Sequence, residues 1–162
     1  MLARGCPAKT EKCVPGGKMR SVTKDRQRFI AHGLVERDGA FLVLRRRDGR
    51  YFGGQWDIPG GTVEAGETPA VAAARECLEE TGLRATVGPK LSHFQNRDTE
   101  GGDLTFNTVT FRLHLVDEDT EVRLSPEEHD DYRWMQPTNP DGLPLVWHVG
   151  RTLGVLTLHQ QR

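Results

Sequence analysis

The sequence predicts a single domain of the α/β class, in which strands and helices share one core. Three patterns in its 162 residues carry this prediction. Two apolar runs flank Asp38-Gly39, a segment of helical periodicity follows Thr68, and residues 104–116 alternate between apolar and polar side chains. These patterns are typical of a hairpin, an amphipathic helix and a long strand. The length suits one domain with a sizeable core and is too short for two.

The first predicted strands form a hairpin. Residues 29–35 and 40–44 are apolar, and the Asp38-Gly39 dipeptide between them is typical of a tight turn. A Gly-rich loop then leads to the short run Trp56-Asp57-Ile58, which Pro59-Gly60-Gly61 ends.

One helix is predicted from Thr68 to Gly82. Thr68 offers an N-cap oxygen, Pro69 suits the first helical position, and Gly82 is placed to end the helix. We expect its apolar stripe to face the core; this stripe consists of Val71, Ala74, Cys77 and Leu78.

The second half of the chain predicts further strands and a closing helix. Residues 104–116 form a long strand, with a wetter face opposite Val109, Phe111, Leu113 and Leu115. Shorter strands are expected at 121–124 and 132–136, and a helix within 143–158. Residues 98–103, rich in glycine and charge, predict a loop able to cover a substrate.

Composition limits the class of protein. The net charge is −1, from 22 basic and 23 acidic residues, so the overall charge favours neither a nucleic-acid nor a membrane partner. No stretch approaches the ~18–20 apolar residues of a membrane span, and no secretory signal is visible. Residues 1–24 predict a flexible basic extension ahead of a domain at 25–162, and such an extension could reach a second subunit. Three cysteines, an odd number, favour a reducing cytoplasm.

The strongest functional feature is the acidic end of the predicted helix. Residues three and four apart on a helix are neighbours, so Glu76, Glu79 and Glu80 share one patch. Each like-charge pair costs ~0.2–0.5 kcal/mol, and the negative end of the helix dipole adds to the repulsion. A hard cation with oxygen ligands removes both penalties, whereas a solvated acidic face leaves them uncompensated. Arg75 is placed to hold Glu79 one turn later.

A longer pattern surrounds this acidic helix. It runs through Gly61, Glu67, Arg75-Glu76, Glu79-Glu80 and Gly82 to the apolar Leu83. In its residues and their spacing, this segment resembles the box of the Nudix hydrolase family, in its MutT-like branch. Cys77 stands where the family usually has an aliphatic residue, and the Trp56–Gly61 segment resembles the lead-in that many members carry. The resemblance extends over about residues 28–150.

The resemblance implies a fold and a chemistry. The fold is an α/β/α sandwich on a mixed β-sheet, with a loop–helix–loop catalytic motif. The reaction is hydrolysis of a nucleoside diphosphate linked to another group, with Mg²⁺ as the cofactor and Mn²⁺ as a substitute. The implied metal ligands are the Gly60 carbonyl, Glu76, Glu79 and Glu80. Arg75 would orient the glutamates, and Gly61, Glu67 and Gly82 would support the loop and the helix.

Roles outside the box remain open. The general base is Glu76, Glu79 or Glu128, because MutT-type members can carry a glutamate near the metal at a place comparable to Glu128. The alternative for Glu128 is a solvated loop charge beside Pro126. Arg45 and Arg47 are candidates for a phosphate contact and Phe52 for a base contact; a solvated basic turn and packing are the alternatives.

Family sub-motifs narrow the substrate by elimination. The proline of ADP-ribose cleavers would fall near Asp98, the tyrosine of diadenosine-polyphosphate cleavers would fall near Gly101, and both are missing. This leaves a (deoxy)nucleoside triphosphate, cleaved to a monophosphate and pyrophosphate, as the expected small-molecule partner. The alternatives are a nucleotide-sugar or dinucleotide pyrophosphohydrolase and a non-catalytic nucleotide-sensing module. Stable binding of nucleic acid is not expected, and a homodimer remains open.

Overall fold

The structure, a computed structural model, describes residues 26–97, 103–139 and 141–160. The predicted extension at 1–24 and residues 98–102 of the predicted loop lie outside these ranges. The described elements are β1 (Arg26–Arg37), β2 (Ala40–Arg46), β3 (Trp56–Asp57), β4 (Gly60–Thr62), α1 (Pro69–Thr81), β5 (Ala85–Arg97), β6 (Leu104–Leu115), β7 (His129–Met135) and α2 (Trp147–Gln160).

The strands form one mixed sheet in the order β3-β2-β1-β6-β5, with β4 paired to β1 and β7 paired to β2. β1 and β6 run parallel, and the other pairs are antiparallel. The β1–β2 hairpin turns at Asp38 and Gly39, whose φ angles of 50° and 76° are those of the predicted tight turn.

The two helices cover opposite faces of the sheet. Successive residues of a strand point to opposite faces. Accordingly Leu34 of β1 shares a core cluster with Val149 of α2, whereas Val35 shares one with Cys77 of α1. The α/β/α sandwich on a mixed sheet is therefore confirmed.

α1 begins and ends where the sequence predicts. The Val71 N–H donates to the Oγ1 atom of Thr68 at 3.3 Å, and Pro69 occupies the first turn. Gly82 adopts a left-handed φ of 70°, and its N–H donates to the carbonyl of Leu78 at 2.9 Å. Both ends of α1 are therefore capped as expected.

The buried face of α1 differs from the predicted stripe. Val71 and Leu78 are 54% and 43% exposed, so the expectation that they face the core is wrong. The buried residues of α1 are Ala72, Ala73, Cys77, Glu80 and Thr81. Ala72 and Ala73 lie against Ala31 of β1, because small side chains allow the helix to approach the sheet closely. This rotation turns Glu80 inward.

The middle of β6 is buried on both faces. Leu113 packs on the α1 side, as the alternation predicts, but Thr108 and Thr110 on the other side are also buried. Ser92 of β5, the partner of Thr110, lies 2.8 Å from Thr152 of α2 between their hydroxyl oxygens. The middle of the face expected to be wetter is therefore covered by α2, whereas its end at His114 is exposed.

Two segments depart from the predicted strands. Sequence patterning does not predict β5, where Gly88 and Pro89 interrupt the alternation and the register with β6 shifts twice. Residues 121–124, expected to be a strand, are irregular. The N–H of Arg123 instead donates to the carbonyl of Thr81 at 2.8 Å, and thus satisfies the end of α1.

The last predicted elements are present. The strand expected at 132–136 is β7, which starts earlier, and the helix expected within 143–158 is α2. Within the described ranges, neither helix combines the length and apolar character that a membrane crossing requires.

Candidate active site

The loop and helix of the acidic motif meet at two glycines. β4 places Gly61 opposite Ala31 and Gly60 opposite His32 of β1. A Cβ atom on Gly61 would lie 2.4 Å from Oε1 of Glu76, and one on Gly60 would lie 2.3 Å from Cδ2 of His32. Gly60 therefore needs glycine for space, and at Gly61 a side chain would displace the Glu76 carboxylate from its place beside β4.

Arg75 gathers three carboxylates around one guanidinium. Its Nη2 atom lies 2.8 Å from Oε1 of Glu67, and its Nη1 atom lies 2.8 Å from Oε1 of Glu76. Nη1 is also 3.1 Å from Oε2 of Glu79, the ion pair expected one turn along the helix. Nη2 donates to the carbonyl of Thr62 at 3.2 Å. The hydrogen bond from Arg75 is the main cause that lowers the pKa of Glu67.

Glu80 is a buried carboxyl group. Glu80 is 3% exposed, and its Oε2 atom accepts a hydrogen bond from the Gly60 N–H at 3.1 Å. Burial raises the pKa of Glu80 to about 9; the Gly60 bond opposes this, and repulsion from Glu128, Glu76 and Asp57 adds to it. In the described part of the chain, no arginine, lysine or histidine forms an ion pair with Glu80. A metal cation bound to the Glu80 carboxylate would therefore supply the positive charge that the described residues do not.

Glu76 and Glu79 lie at different depths from Glu80. The side chain of Glu79 is 59% exposed and that of Glu76 is 15% exposed. Burial raises the pKa of Glu76, Arg75 opposes this, and Glu79 and Glu128 add repulsion. The exposure of the three glutamates thus falls from Glu79 through Glu76 to Glu80.

The backbone of Gly60 also faces the helix. The carbonyl of Pro59 accepts a hydrogen bond from the Gly33 N–H of β1 at 2.8 Å. Because hydrogen-bonded positions alternate along an antiparallel ladder, the N–H and C=O of the next residue, Gly60, point away from β1. The N–H reaches Glu80, and the carbonyl has the same general direction, as a metal ligand there would require.

Arginines at and after the end of β2 hold the start of β7 and the residues just before it. Nη1 of Arg45 lies 2.6 Å from Oδ2 of Asp130, and Nη1 of Arg47 donates to the carbonyl of Pro126. Arg50 donates to the carbonyl of Glu127 at 3.1 Å. The phosphate contacts expected of Arg45 and Arg47 stay predictions, and both guanidiniums have protein partners here.

Glu128 and Phe52 are the two remaining candidates from the sequence. Glu128 is exposed, and it raises the pKa of both Glu76 and Glu80 by Coulombic repulsion, so it lies near the box carboxylates. The ring centroid of Phe52 lies 4.0 Å from that of Tyr51, and Phe52 packs against the core cluster on the α2 side. The expected contact of Phe52 with the base of the nucleotide also stays a prediction.

Sequence analysis did not predict a buried polar cluster next to Gly60. Its members are His32, Arg46, Asp57 and His148. Asp57, 3% exposed, accepts hydrogen bonds from Nε2 of His148 at 3.0 Å and from Nη1 of Arg46 at 3.0 Å. Burial raises its pKa, but the His148 hydrogen bond and nearby positive charge bring that pKa well below its usual range. The rings of His32 and His148 lie 4.0 Å apart between centroids. These residues lie on β1, β2, β3 and α2, so no sequence spacing connects them.

The two clusters offer different ligands. The glutamates and the Gly60 carbonyl present only oxygen atoms, which suits a hard cation such as Mg²⁺. The His32, Asp57 and His148 cluster presents two ring nitrogens and one carboxylate. Only the first cluster was expected from the acidic motif.

The chain is similar in sequence to known proteins. The chain is 34% identical over 119 residues to the Nucleoside triphosphatase NudI of Escherichia coli strain K12, covering 69% of this chain and 84% of that protein. It is also 41% identical over 108 residues to an Octanoyltransferase of Myxococcus xanthus, covering 64% of this chain and only 29% of that protein. The chain therefore spans less than a third of this second relative.

A solved structure shares the fold. The MutT protein of Methanosarcina mazei Go1 superposes with a TM-score of 0.72 at 25% identity, covering 86% of this chain and 99% of that one. The sequence model described as the NUDIX domain matches residues 25–151. With the box, the sandwich and these likenesses in agreement, the chain belongs to the Nudix hydrolase family.

Proposed function

We propose that this chain hydrolyses a nucleoside triphosphate to a monophosphate and pyrophosphate in a Mg²⁺-dependent reaction. The observation that carries the proposal is the Glu80 carboxyl, buried beside the Gly60 N–H without a cationic partner among the described residues. A buried carboxylate that lacks a partner is strongly disfavoured, and a divalent cation held by Glu76, Glu79 and Glu80 would supply that partner.

The residues of the site divide the work. Arg75 keeps Glu76 and Glu79 oriented, because its planar guanidinium contacts both. Mg²⁺, when bound, neutralises phosphate charge and lowers the pKa of the attacking water. Glu128 takes the proton from that water, since it is exposed beside the box carboxylates and forms no ion pair among the described residues.

The triphosphate is the preferred substrate because of the NudI relative. That protein is named a nucleoside triphosphatase, and the chain covers 84% of its length. Its name supports the elimination made from the sub-motifs. Nucleotide sugars and dinucleotides remain the substrates to compare.

The proposal is tested with a substrate panel in Mg²⁺. The panel contains the eight common nucleoside triphosphates, 8-oxo-dGTP, ADP-ribose, a diadenosine polyphosphate, a UDP-sugar and NADH. The nucleotide products are separated by chromatography, and released pyrophosphate is measured in parallel, because a UDP-sugar or a dinucleotide yields two monophosphates and no pyrophosphate. We expect pyrophosphate and monophosphate from a triphosphate. Preferred turnover of a UDP-sugar or a dinucleotide would reassign the substrate, and a folded protein that binds nucleotide without turnover would be a sensor.

Glu79→Gln and Glu121→Gln form a matched pair for this assay. Glu79→Gln removes a proposed ligand and is expected to lower kcat at least ~100-fold, more than the loss of a group that only supports a ligand. Glu121 is an exposed glutamate of the irregular segment after β6, and its replacement should leave kcat unchanged. Undiminished turnover in Glu79→Gln would contradict the proposed metal site. Mn²⁺ is expected to replace Mg²⁺ in the wild type.

The proposal also covers the cellular location and the oligomeric state of the protein. Cys77 is a free, buried cysteine, which accords with the cytoplasm expected from the sequence. Light scattering after size-exclusion chromatography will distinguish a monomer from the homodimer that the sequence left open.

A further inference from the structure

Three side chains beneath the catalytic loop lie at ligand distances from one another. One ring nitrogen from each of His32 and His148 and one carboxylate oxygen of Asp57 all fall within 4.8 Å of one another. Nε2 of His148 and Oδ1 of Asp57 are 3.0 Å apart. Two ligands bound to Zn²⁺ at about 2.0–2.1 Å are themselves about 3.0–3.4 Å apart, depending on the bond angle. The spacing of this pair therefore needs little change to hold an ion.

Two ring nitrogens in this cluster have no hydrogen-bond partner. Nδ1 of His32 and Nδ1 of His148 are both buried and unsatisfied, although the two residues are only 5% and 4% exposed. Buried polar atoms are almost always satisfied, so two such nitrogens in adjacent rings call for a ligand or a change of ring orientation. An ion satisfies Nδ1 of a ring that binds through that atom, whereas a ring that binds through Nε2, as the 3.0 Å spacing between His148 and Asp57 requires, keeps its proton on Nδ1.

We propose that His32, Asp57 and His148 form a second metal site, for Zn²⁺, separate from the carboxylate cluster. Two imidazoles and one carboxylate are ligands typical of Zn²⁺, and a solvent molecule would complete a tetrahedral set. Mg²⁺ prefers an all-oxygen set and is not expected here. Nothing in this proposal depends on the proposed nucleotide substrate.

The surroundings suit a metal ligand set. Both rings are buried, and burial disfavours a charged imidazole, so His32 presents a neutral ring with a lone pair. Nη1 of Arg46 lies 3.0 Å from Oδ2 of Asp57 and orients the carboxylate from the side away from Oδ1. Ligating carboxylates commonly have such an outer partner.

The site would join three separate elements. His32 lies on β1, Asp57 on β3 and His148 on α2, so an ion bound by all three ties the closing helix to the sheet. The Asp57 ligand also lies three residues before Gly60, whose position His32 limits sterically. The proposed role is therefore structural support of the catalytic loop.

Spectroscopy with Co²⁺ in place of Zn²⁺ tests the site. The full chain carries Cys6→Ser and Cys13→Ser, because thiols also bind zinc, and excess Mg²⁺ saturates the carboxylate cluster. We expect one equivalent of Co²⁺ with the intense visible absorption of a tetrahedral site. His148→Asn should weaken this binding by more than the ~10–100-fold that loss of an outer partner costs. His114→Asn, which removes an exposed histidine on β6, is the matched control and should bind as the parent does.

Two results would overturn the proposal. One is an unchanged Co²⁺ spectrum in a His148→Asn protein whose circular dichroism shows that it is folded. The other uses the parent chain, so it does not depend on how the variants fold. Crystals grown with Zn²⁺ are measured at the zinc absorption edge, and the anomalous map should show a peak between His32, Asp57 and His148. A water molecule there, or no peak, refutes the metal site.

Discussion

The Gly60 N–H donates a hydrogen bond to Oε2 of Glu80 at 3.1 Å, although the two residues lie 20 positions apart in the sequence. This contact joins the Trp56–Gly61 lead-in to the helix of the Nudix box. Gly60 is available for it because it lies between the positions of β4 that bond to β1. Glu80 reaches it because the small residues Ala72 and Ala73 turn that face of α1 toward the sheet.

The raised pKa of Glu80 predicts how stability depends on pH without metal. Its pKa is about 9 in the folded protein against 4.5 for an ordinary glutamate. Between these values the folded state binds one more proton than the unfolded state, so the free energy of unfolding falls as pH rises. The stabilisation is complete below pH 4.5 and is lost as pH passes about 9.

Urea unfolding in EDTA at several pH values measures this effect. Glu80→Gln stays neutral and should show a shallower fall in the free energy of unfolding between pH 5 and 9 than the wild type. Glu121→Gln should keep the wild-type slope, since Glu121 is exposed. Equal slopes for Glu80→Gln and the wild type would show that Glu80 does not titrate as expected.

Gly61→Ala should damage the site through space alone. The added Cβ would lie 2.4 Å from Oε1 of Glu76, so the carboxylate or the β4 backbone must move. Because the clash involves only the flexible end of the Glu76 side chain, we expect a small loss of stability and loss of most turnover. Gly150→Ala is the control: nothing lies within 4 Å of its Cβ, and it should stabilise α2 by up to ~1 kcal/mol. Full activity in Gly61→Ala would contradict the tight fit.

Much of the fold follows from local chemistry in the sequence. The hairpin at Asp38-Gly39 and the caps at Thr68 and Gly82 were predictable because each depends on a few adjacent residues. The buried face of α1 was not, because the exposure of Val71 and Leu78 depends on how closely the helix approaches the sheet. β5 escaped prediction because its register shifts break the alternation.

The features of the site were also only partly predictable from the sequence. The box pattern predicts the Arg75–Glu79 contact, since both residues lie one turn apart on one helix. The same pattern does not reveal that Glu80 is buried while Glu79 is exposed. The cluster at Asp57 is invisible in one sequence, because its members meet only after three elements have folded together.

Arg75→Lys should separate charge from geometry. The planar guanidinium contacts Glu67, Glu76 and Glu79 together, which one ammonium group cannot do. We therefore expect the Mg²⁺ concentration for half-maximal activity to rise ~10–100-fold, the usual range for a group that orients metal ligands. Arg84→Lys, an exposed arginine after α1, should leave it unchanged. If Arg75→Lys keeps the wild-type Mg²⁺ dependence, the guanidinium does not orient the ligands.

Glu128→Gln compared with Glu127→Gln identifies the general base. Both glutamates are exposed in the segment before β7, and repulsion from Glu128 raises the pKa of Glu76 and Glu80. Glu127, its neighbour in sequence, is the matched control. As a base, Glu128 should contribute ~10²–10⁴-fold to kcat, and Glu128→Gln should lose that factor without loss of thermal stability. Glu127→Gln should retain wild-type turnover. If Glu128→Gln is equally active, Glu128 is not the general base, and the proton passes to Glu76 or Glu79, the two alternatives within the box.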